Sequence, residues 1–266
     1  MKVGIAGFGT IGAKVGRALD EGMDGLVLEA VTGRDAEKAR AAVAALKRPV
    51  DVVSPEELAR RCDVIVECVP TAAFEAIAIP ALKAGRTLLT VSAAALLRHP
   101  EIIALAKVHG GQIVLATGAL LGLDAVRAAA QGTIHSVTMI TRKPPKSLKG
   151  APHLVEHKIQ IENLSAPLKV FEGTAREGAK GFPANVNVAA ALGLAGIGPD
   201  RTQLQIWADP ALERNTHTIK VDADSARFEM TIENVPSPEK PGTGKITALS
   251  VIAALKGLRA PLKVGT

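Results

Sequence analysis

Val3-Gly4-Ile5-Ala6-Gly7-Phe8-Gly9-Thr10-Ile11-Gly12 opens the chain. An apolar run ends in Gly7, Gly9 and Gly12, and a helical segment, Ala13 to Leu19, follows directly. This is G-x-G-x-x-G in the context it needs, a strand before and a helix after. Gly7 permits a tight turn, Gly9 lets the backbone approach a pyrophosphate, and Gly12 lets the helix pack close to the strand. The N–H groups and positive dipole end of that helix attract phosphate. Without its flanks the pattern would be an ordinary glycine-rich turn. With them it predicts a dinucleotide site at Gly7, Phe8, Gly9, Thr10, Ile11 and Gly12.

Leu26 to Val31 is the next strand, and Thr32-Gly33-Arg34-Asp35 follows it. An acid about 20 residues past the glycines would bind the ribose hydroxyls, whereas an Arg nearby accommodates a 2′-phosphate. Glu29 comes too early and Asp35 begins the next helix, which leaves Arg34. NADP is therefore permitted, and strict NAD use is not signalled; the alternative for Arg34 is a solvated surface side chain.

Beyond this point strands and helices alternate. Asp35 to Leu46 is helical, Val50 to Val53 is a short strand, and Ser54-Pro55-Glu56-Glu57 starts a helix with Ser54 as cap and Glu57 at the capping-box position. Asp63 to Val69 is a buried strand that Pro70-Thr71 breaks at its carboxyl edge, where open α/β sheets bind ligands, so Val69 and Pro70 join the expected cofactor contacts. Phe74 to Ala84 is a helix stopped by Gly85, Thr87 to Val91 a strand with Ser92-Ala93-Ala94 as its edge loop, Pro100 to Val108 a helix, and Gln112 to Ala116 a strand. The pattern predicts a doubly wound parallel sheet, an N-terminal Rossmann dinucleotide-binding domain over residues 1–122.

After Gly122 the rhythm changes. A short helix, Leu123 to Ala130, precedes β segments at 136–141, 158–161, 169–171, 203–207, 216–221 and 227–232, with one long helix from Pro183 to Leu194. Grouped strands with few helices predict a smaller α+β domain, residues 123–240, built on an open mixed or antiparallel sheet. A turn-rich segment from Pro236 leads to a last helix, Lys245 to Gly257, apolar on most faces. The 241–266 segment is expected to rejoin the first domain.

Composition narrows the function. The 266 residues are 47% hydrophobic, and no apolar run approaches the ~20 residues of a membrane span. Met1 leads straight into a strand without a leader pattern, and two cysteines, Cys62 and Cys68, form no framework, so the expectation is a cytoplasmic protein with no membrane partner. Net charge is +6, spread along the chain, while aromatic residues make up only 2%. Stacking platforms for nucleic acid are nearly absent, and the charge suits small anions such as a dinucleotide and a carboxylate. With no tyrosine, acid–base work falls to His, Lys, Asp, Glu or Cys.

Six histidines are available. His99 and His109 stand at helix ends, where an imidazole helps satisfy the backbone, and His135 lies in a polar turn. His153-Leu154-Val155-Glu156-His157 matches H-x-x-E-H, but that metal pattern requires a helix, and here Pro152 precedes it and a strand-like segment follows. A surface segment with no metal is the expectation. His217 differs: it enters a strand after Asp209 and Asn215, groups that could fix its tautomer for acid–base catalysis. Spacing alone leaves a structural histidine equally open.

Further segments carry a resemblance. Thr117-Gly118-Ala119-Leu120-Leu121-Gly122-Leu123-Asp124-Ala125, Thr141-Arg142-Lys143-Pro144-Pro145, Phe171-Glu172-Gly173, Phe182-Pro183-Ala184-Asn185-Val186-Asn187-Val188-Ala189, Ala208-Asp209-Pro210, Asn215-Thr216-His217 and Ile232-Glu233-Asn234 with Pro236-Ser237 occur in order through the second half of the chain. Together they resemble the L-aspartate dehydrogenase family. The resemblance implies oxidation of L-aspartate with NAD or NADP to iminoaspartate, which yields oxaloacetate and ammonia or feeds NAD biosynthesis, with reductive amination in reverse. It implies His217 as the acid–base, Ala119 and Asn185 as cofactor contacts, and a homodimer. Arg142 and Lys143 are available for the substrate carboxylates, or as solvated side chains. The chain departs from the family where an aspartate often follows the second strand, here Thr32-Gly33-Arg34, and at Pro241-Gly242-Thr243-Gly244 before the last helix. Two other readings share the glycine motif: a reductase of another amino or imino acid, and a dinucleotide-binding redox sensor without catalysis.

Overall fold

Alternation along the first strand organises the first half of the molecule. The computed structural model describes residues 1–183, 186–239 and 242–265. In β1 (Lys2–Ala6) Val3 and Ile5 join one apolar layer, while Ala6 faces another. Gly4 lies under Leu58 and Cys62, where a Cβ would come within 2.8 Å of Leu58. Helices therefore cover both faces, as the period of two requires when a parallel sheet is buried on each side.

The elements of this half are α1 (Thr10–Glu21), β2 (Val27–Thr32), α2 (Ala36–Val43), β3 (Asp51–Val52), α3 (Pro55–Arg61), β4 (Val64–Glu67), α4 (Phe74–Lys83), β5 (Thr87–Thr90), α5 (Ala93–Arg98), α6 (Glu101–His109) and β6 (Gln112–Leu115). The strands are parallel in the order β3-β2-β1-β4-β5-β6, the doubly wound Rossmann arrangement. Val15, Leu19, Val31, Val66 and Leu89 fill one layer; Leu58, Phe74, Leu82, Leu88 and Ile102 fill the other. Ser54 caps α3 by accepting the Glu57 N–H at 3.1 Å. Only that half of the box forms, because the Glu57 carboxylate lies 3.9 Å from Arg61. Ala93-Ala94 belongs to α5 rather than an edge loop, since a buried Ala-Ala-Ala-Leu-Leu run continues from it.

The second half contains α7 (Leu123–Ala129), β7 (Ile134–Lys143), α8 (Pro152–Glu156), β8 (Leu168–Thr174), α9 (Ala175–Gly181), α10 (Asn187–Ala195), β9 (Thr202–Ala208), β10 (Asn215–Ala223) and β11 (Arg227–Asn234), and α11 (Lys245–Arg259) ends the chain's regular structure. Its sheet runs β11-β10-β7-β9-β8, antiparallel except for the β7–β9 pair, and is therefore mixed. Lys158 to Ile161 is not a strand: Lys158 has φ 53°, and the Ile159 N–H turns back to Leu154 O at 2.9 Å. Helix α9, whose start carries the full Thr174–Glu177 capping box, has no counterpart in the sequence expectation. Contacts divide the chain into one unit of Met1–Gly118 with Thr247–Lys263 and another of Ala119–Ile246 with Val264–Thr266. Val251 and Leu255 of α11 lie in the same layer as Val15 and Leu19 of α1. Among the described residues no helix is long and apolar enough to cross a membrane.

At the carboxyl edge of the first sheet a fully buried acid ties two strand ends together. Glu67 accepts the Val69 N–H at 2.8 Å and the Thr90 hydroxyl at 2.5 Å, and Thr90 Oγ1 accepts the Ser92 N–H at 2.9 Å. Burial pushes its carboxyl up, against the pull of those donors. Two outcomes follow from this packing. Gly12→Ala would set a Cβ 2.0 Å from Gly7 O; urea unfolding is expected to show a loss of about 1–3 kcal/mol, and a variant as stable as wild type would contradict the close approach. Glu67→Ala strands two buried donors and should cost about 2–4 kcal/mol, whereas Glu67→Gln should cost about 1 kcal/mol, by the same measurement.

Candidate functional site

The glycine turn has the geometry a dinucleotide needs. Gly7 adopts φ +88°, and a Cβ there would meet Cys68 O at 2.7 Å, so glycine is required by both conformation and space. Its N–H donates to Thr32 O at 2.8 Å, which joins the turn to the end of β2. At Gly9 a Cβ would meet nothing within 4 Å among the described residues, leaving the backbone open to an approaching group. Gly9 is also the N-cap of α1 and offers no side-chain cap, so the first-turn N–H groups at Thr10, Ile11 and Gly12 keep their capacity for an anion. Phe8 instead packs over Gly16, its Cε2 lying 2.5 Å from where a Cβ would stand. These features fit a dinucleotide pyrophosphate.

The other expected cofactor residues are placed as follows. Arg34 is exposed directly after β2, while Asp35 caps α2 by accepting the Lys38 N–H at 3.0 Å. Glu29 is taken by Arg61 at 3.0 Å and Lys2 at 3.4 Å, so it is committed within the strand layer. Val69 is held through its N–H by Glu67, and Pro70 is exposed beside it. The sequence reading stopped at Val69 and passed over Glu67; an acid inside the apolar run Val64-Ile65-Val66 was the available signal. The Ala119 carbonyl accepts Asn234 Nδ2 at 3.0 Å. Asn185 lies outside the described residues.

In the second unit His217 occupies the buried face of its sheet, only 3% exposed. The register sets it opposite Thr141 of β7, and its Nδ1 lies 3.1 Å from Thr141 Oγ1. Asn215 and Asp209 do not hold the ring. Cross-strand neighbours stand closer than residues two apart on one strand, and the Asp209 carboxylate is bound by Arg142 at 3.3 Å and the Ala211 N–H at 3.1 Å. Thr141 lies 76 residues from His217 in the chain, so spacing could not reveal it. Burial first and Lys143 second push the imidazole down to about 3, so His217 is neutral at neutral pH.

Strand alternation separates the two basic residues of β7. Arg142 faces out, its guanidinium 4.8 Å from the Trp207 ring centroid, and Lys143 faces in, 5% exposed. The H-x-x-E-H segment is helical over Pro152–Glu156, contrary to expectation, because Pro152 occupies the first turn, where its missing N–H costs nothing. Its rings pack together, His153 against His157 with centroids 4.0 Å apart, and His157 Nδ1 lies 3.0 Å from His153 O. His99 Nδ1 lies 3.1 Å from Glu101 and 3.4 Å from Glu75, so the ring faces two surface carboxylates rather than capping the backbone.

Known proteins match along the whole chain. The family model described as "Aspartate dehydrogenase, C-terminal" matches residues 124–258, and "Homoserine dehydrogenase, NAD binding domain" matches 7–116. An L-aspartate dehydrogenase of Bradyrhizobium diazoefficiens is 56% identical over 266 residues, covering 100% of this chain and 94% of the relative. L-aspartate dehydrogenase 3 of Bordetella bronchiseptica is 52% identical, with 99% and 97% covered. The crystal structure of aspartate dehydrogenase from Thermotoga maritima superposes with a TM-score of 0.75 at 25% identity, covering 100% of this chain and 99% of that one. A nicotinamide-dinucleotide domain, a mixed-sheet domain with a buried histidine and these matches lead to one conclusion: the chain belongs to the L-aspartate dehydrogenase family.

Proposed function

We propose that the protein oxidises L-aspartate with NAD or NADP to iminoaspartate, which water converts to oxaloacetate and ammonia, and that it catalyses the reverse reductive amination. The observation that carries this reading is a buried, neutral imidazole held by a hydroxyl, His217 on Thr141, within a chain of this family. A nicotinamide dinucleotide bound at the glycine turn would supply the acceptor for hydride from the α-carbon. Gly7, Gly9 and Gly12 with the first turn of α1 would hold the pyrophosphate, with Val69 and Pro70 at the carboxyl edge of the same sheet; the family resemblance adds Ala119 and Asn185 as cofactor contacts.

The chain's own chemistry is proton handling. An α-ammonium group must lose a proton before its carbon can give up hydride, and His217 takes it. If Nδ1–H donates to Thr141, Nε2 carries the free lone pair; the hydroxyl can accept in that role. Nε2 must first release that proton to solvent; it then accepts one from the water that attacks the imine carbon and returns it to the amine nitrogen, so that the carbon–nitrogen bond breaks with release of ammonia. Family resemblance supports a homodimer working in the cytoplasm, with iminoaspartate supply to NAD biosynthesis as one use.

Incubating the protein with L-aspartate and each cofactor should produce the absorbance of reduced nicotinamide, and oxaloacetate with ammonia should consume it. Absence of both signals would remove the proposal. His217→Ala should keep cofactor affinity and lose about 10²–10⁴ in kcat; a variant with normal turnover would exclude His217 as the acid–base. Arg34→Ala should weaken NADP about tenfold and leave NAD alone, since the guanidinium would serve only the 2′-phosphate. An equal loss for both cofactors would contradict that assignment.

A further inference from the structure

A carboxylate with no exposed surface closes the carboxyl end of β4, and the proton handling at His217 makes no use of it. Glu67 and Thr90 are both 0% exposed, and Ser92 is 6% exposed. The parallel register sets Glu67 beside Ala6 of β1 on one side and Thr90 of β5 on the other. Buried apolar residues precede both, Ile65 and Val66 on β4 and Leu88 and Leu89 on β5. An acid is costly at such a place unless its oxygens are bound. The groups that offset its burial are the Val69 N–H and the hydroxyls of Thr90 and Ser92; among the described residues none is a cation. The donors follow one consistent order: Ser92 N–H to Thr90 Oγ1, the Thr90 hydroxyl to Glu67 Oε2, and Val69 N–H to Glu67 Oε1. One side chain thereby fastens the chain where it leaves β4 to the chain where it leaves β5.

The same turn packs on the glycine motif. Cys68 N–H donates to Ala6 O at 2.8 Å, and Gly7 N–H reaches Thr32 O at the end of β2. A Cβ on Gly7 would lie 2.7 Å from Cys68 O and 3.1 Å from Val69 Cγ1. Gly7 therefore stands between the end of β2 and the turn from Glu67 to Val69. In this fold the adenosine ribose lies past the end of β2 and the pyrophosphate lies on the glycine turn. A dinucleotide laid across that turn sends its other half, the nicotinamide, toward the ends of β4 and β5.

We infer that Glu67 is a positioning residue for the nicotinamide half of the cofactor, acting through the Val69 turn and, by way of Thr90, through the Ser92 turn. This role rests on the cofactor part of the proposed function and not on the aspartate reaction. With no exposed surface, Glu67 cannot itself contact a ligand. Its effect is to order two strand-end turns before a ring arrives, and ordering them during binding would instead be subtracted from the affinity. The glycine turn keeps its own ties, Gly7 N–H to Thr32 O and Gly12 close against Gly7 O. Loss of the acid should therefore fall on the nicotinamide half, while the adenosine and pyrophosphate keep their partners.

Calorimetric titration separates this role from plain stability. The ligands are NADH or NADPH, whichever the wild type binds more tightly, and the matching ADP-ribose that lacks nicotinamide. Glu67→Ala should raise the Kd of the whole cofactor about tenfold or more and leave the ADP-ribose Kd within about twofold. Glu67→Gln should recover most of that loss. Its carbonyl still accepts the Val69 N–H, and its amide can donate to Thr90 Oγ1, which has a lone pair beyond the one Ser92 uses. Thr90→Val, which cuts only the link to Ser92, should weaken the whole cofactor less than Glu67→Ala does and again spare ADP-ribose. Equal losses for the two ligands in a folded Glu67→Ala variant would make the acid a general brace and overturn the role, as would unchanged cofactor affinity. If Glu67→Ala fails to fold, Thr90→Val decides by the same comparison. A wild type that binds neither ligand removes the role together with the cofactor reading. Selective loss in a protein that leaves aspartate unoxidised supports the role and removes only the proposed reaction.

Discussion

The backbone of the glycine turn lies too close to the helix that follows it for any side chain to come between them. A Cβ on Gly12 would lie 2.0 Å from Gly7 O, and one on Gly7 would lie 2.7 Å from Cys68 O. No side chain can be admitted at either point, so β1, α1 and the end of β4 are held at backbone distance. A Cβ on Gly9, between them, would meet nothing among the described residues within 4 Å. The same short segment therefore supplies a tight joint at two glycines and an open backbone at the third. Dinucleotide binding depends on both, because the pyrophosphate needs oriented N–H groups and space beside them.

In the second domain the corresponding constraint is the pleat. Side chains of β7 alternate, so Thr141 and Lys143 enter the buried face while Arg142 leaves it. β10 pairs with β7 in a register that brings His217 against Thr141. A slip of one residue would reverse every one of these assignments and expose the imidazole. Hydrophobic positions on both strands, Val137 and Met139 on β7 and Ile219 and Val221 on β10, are buried on the same face and fix that register. Packing of ordinary aliphatic residues thus sets the position of the proposed acid–base.

Much of this was legible in the chain as written, and the misses have identifiable causes. Strand and helix alternation in the first half followed from apolar runs ended by Gly or Pro, and Asp35 and Ser54 acted as the helix caps their type favours. The Lys158–Ile161 segment looked β-like by composition, yet Lys158 at φ 53° breaks extension. The alanine-rich turn into α5 read as a loop because alanine carries little periodic signal; only burial of Ala93 to Leu97 explains the helix. Helix α9 escaped notice although Thr174 and Glu177 spell its capping box, since two glycines inside it obscured the pattern.

What the sequence determined by itself was local: the glycine turn and its helix, the order of strands and helices, the family through segments spread along the chain, and His217 as the histidine worth attention. These depend on neighbours within a few residues or on whole-chain resemblance. Tertiary structure decided which groups meet. Thr141 and His217 are 76 residues apart, and Glu67 and Thr90 are 23 apart. Strand pairing and burial create both contacts. Burial also sets the charge states, holding His217 neutral and moving Lys143 toward neutrality, because removing water from an ionisable group changes its pKa in a way that no spacing encodes.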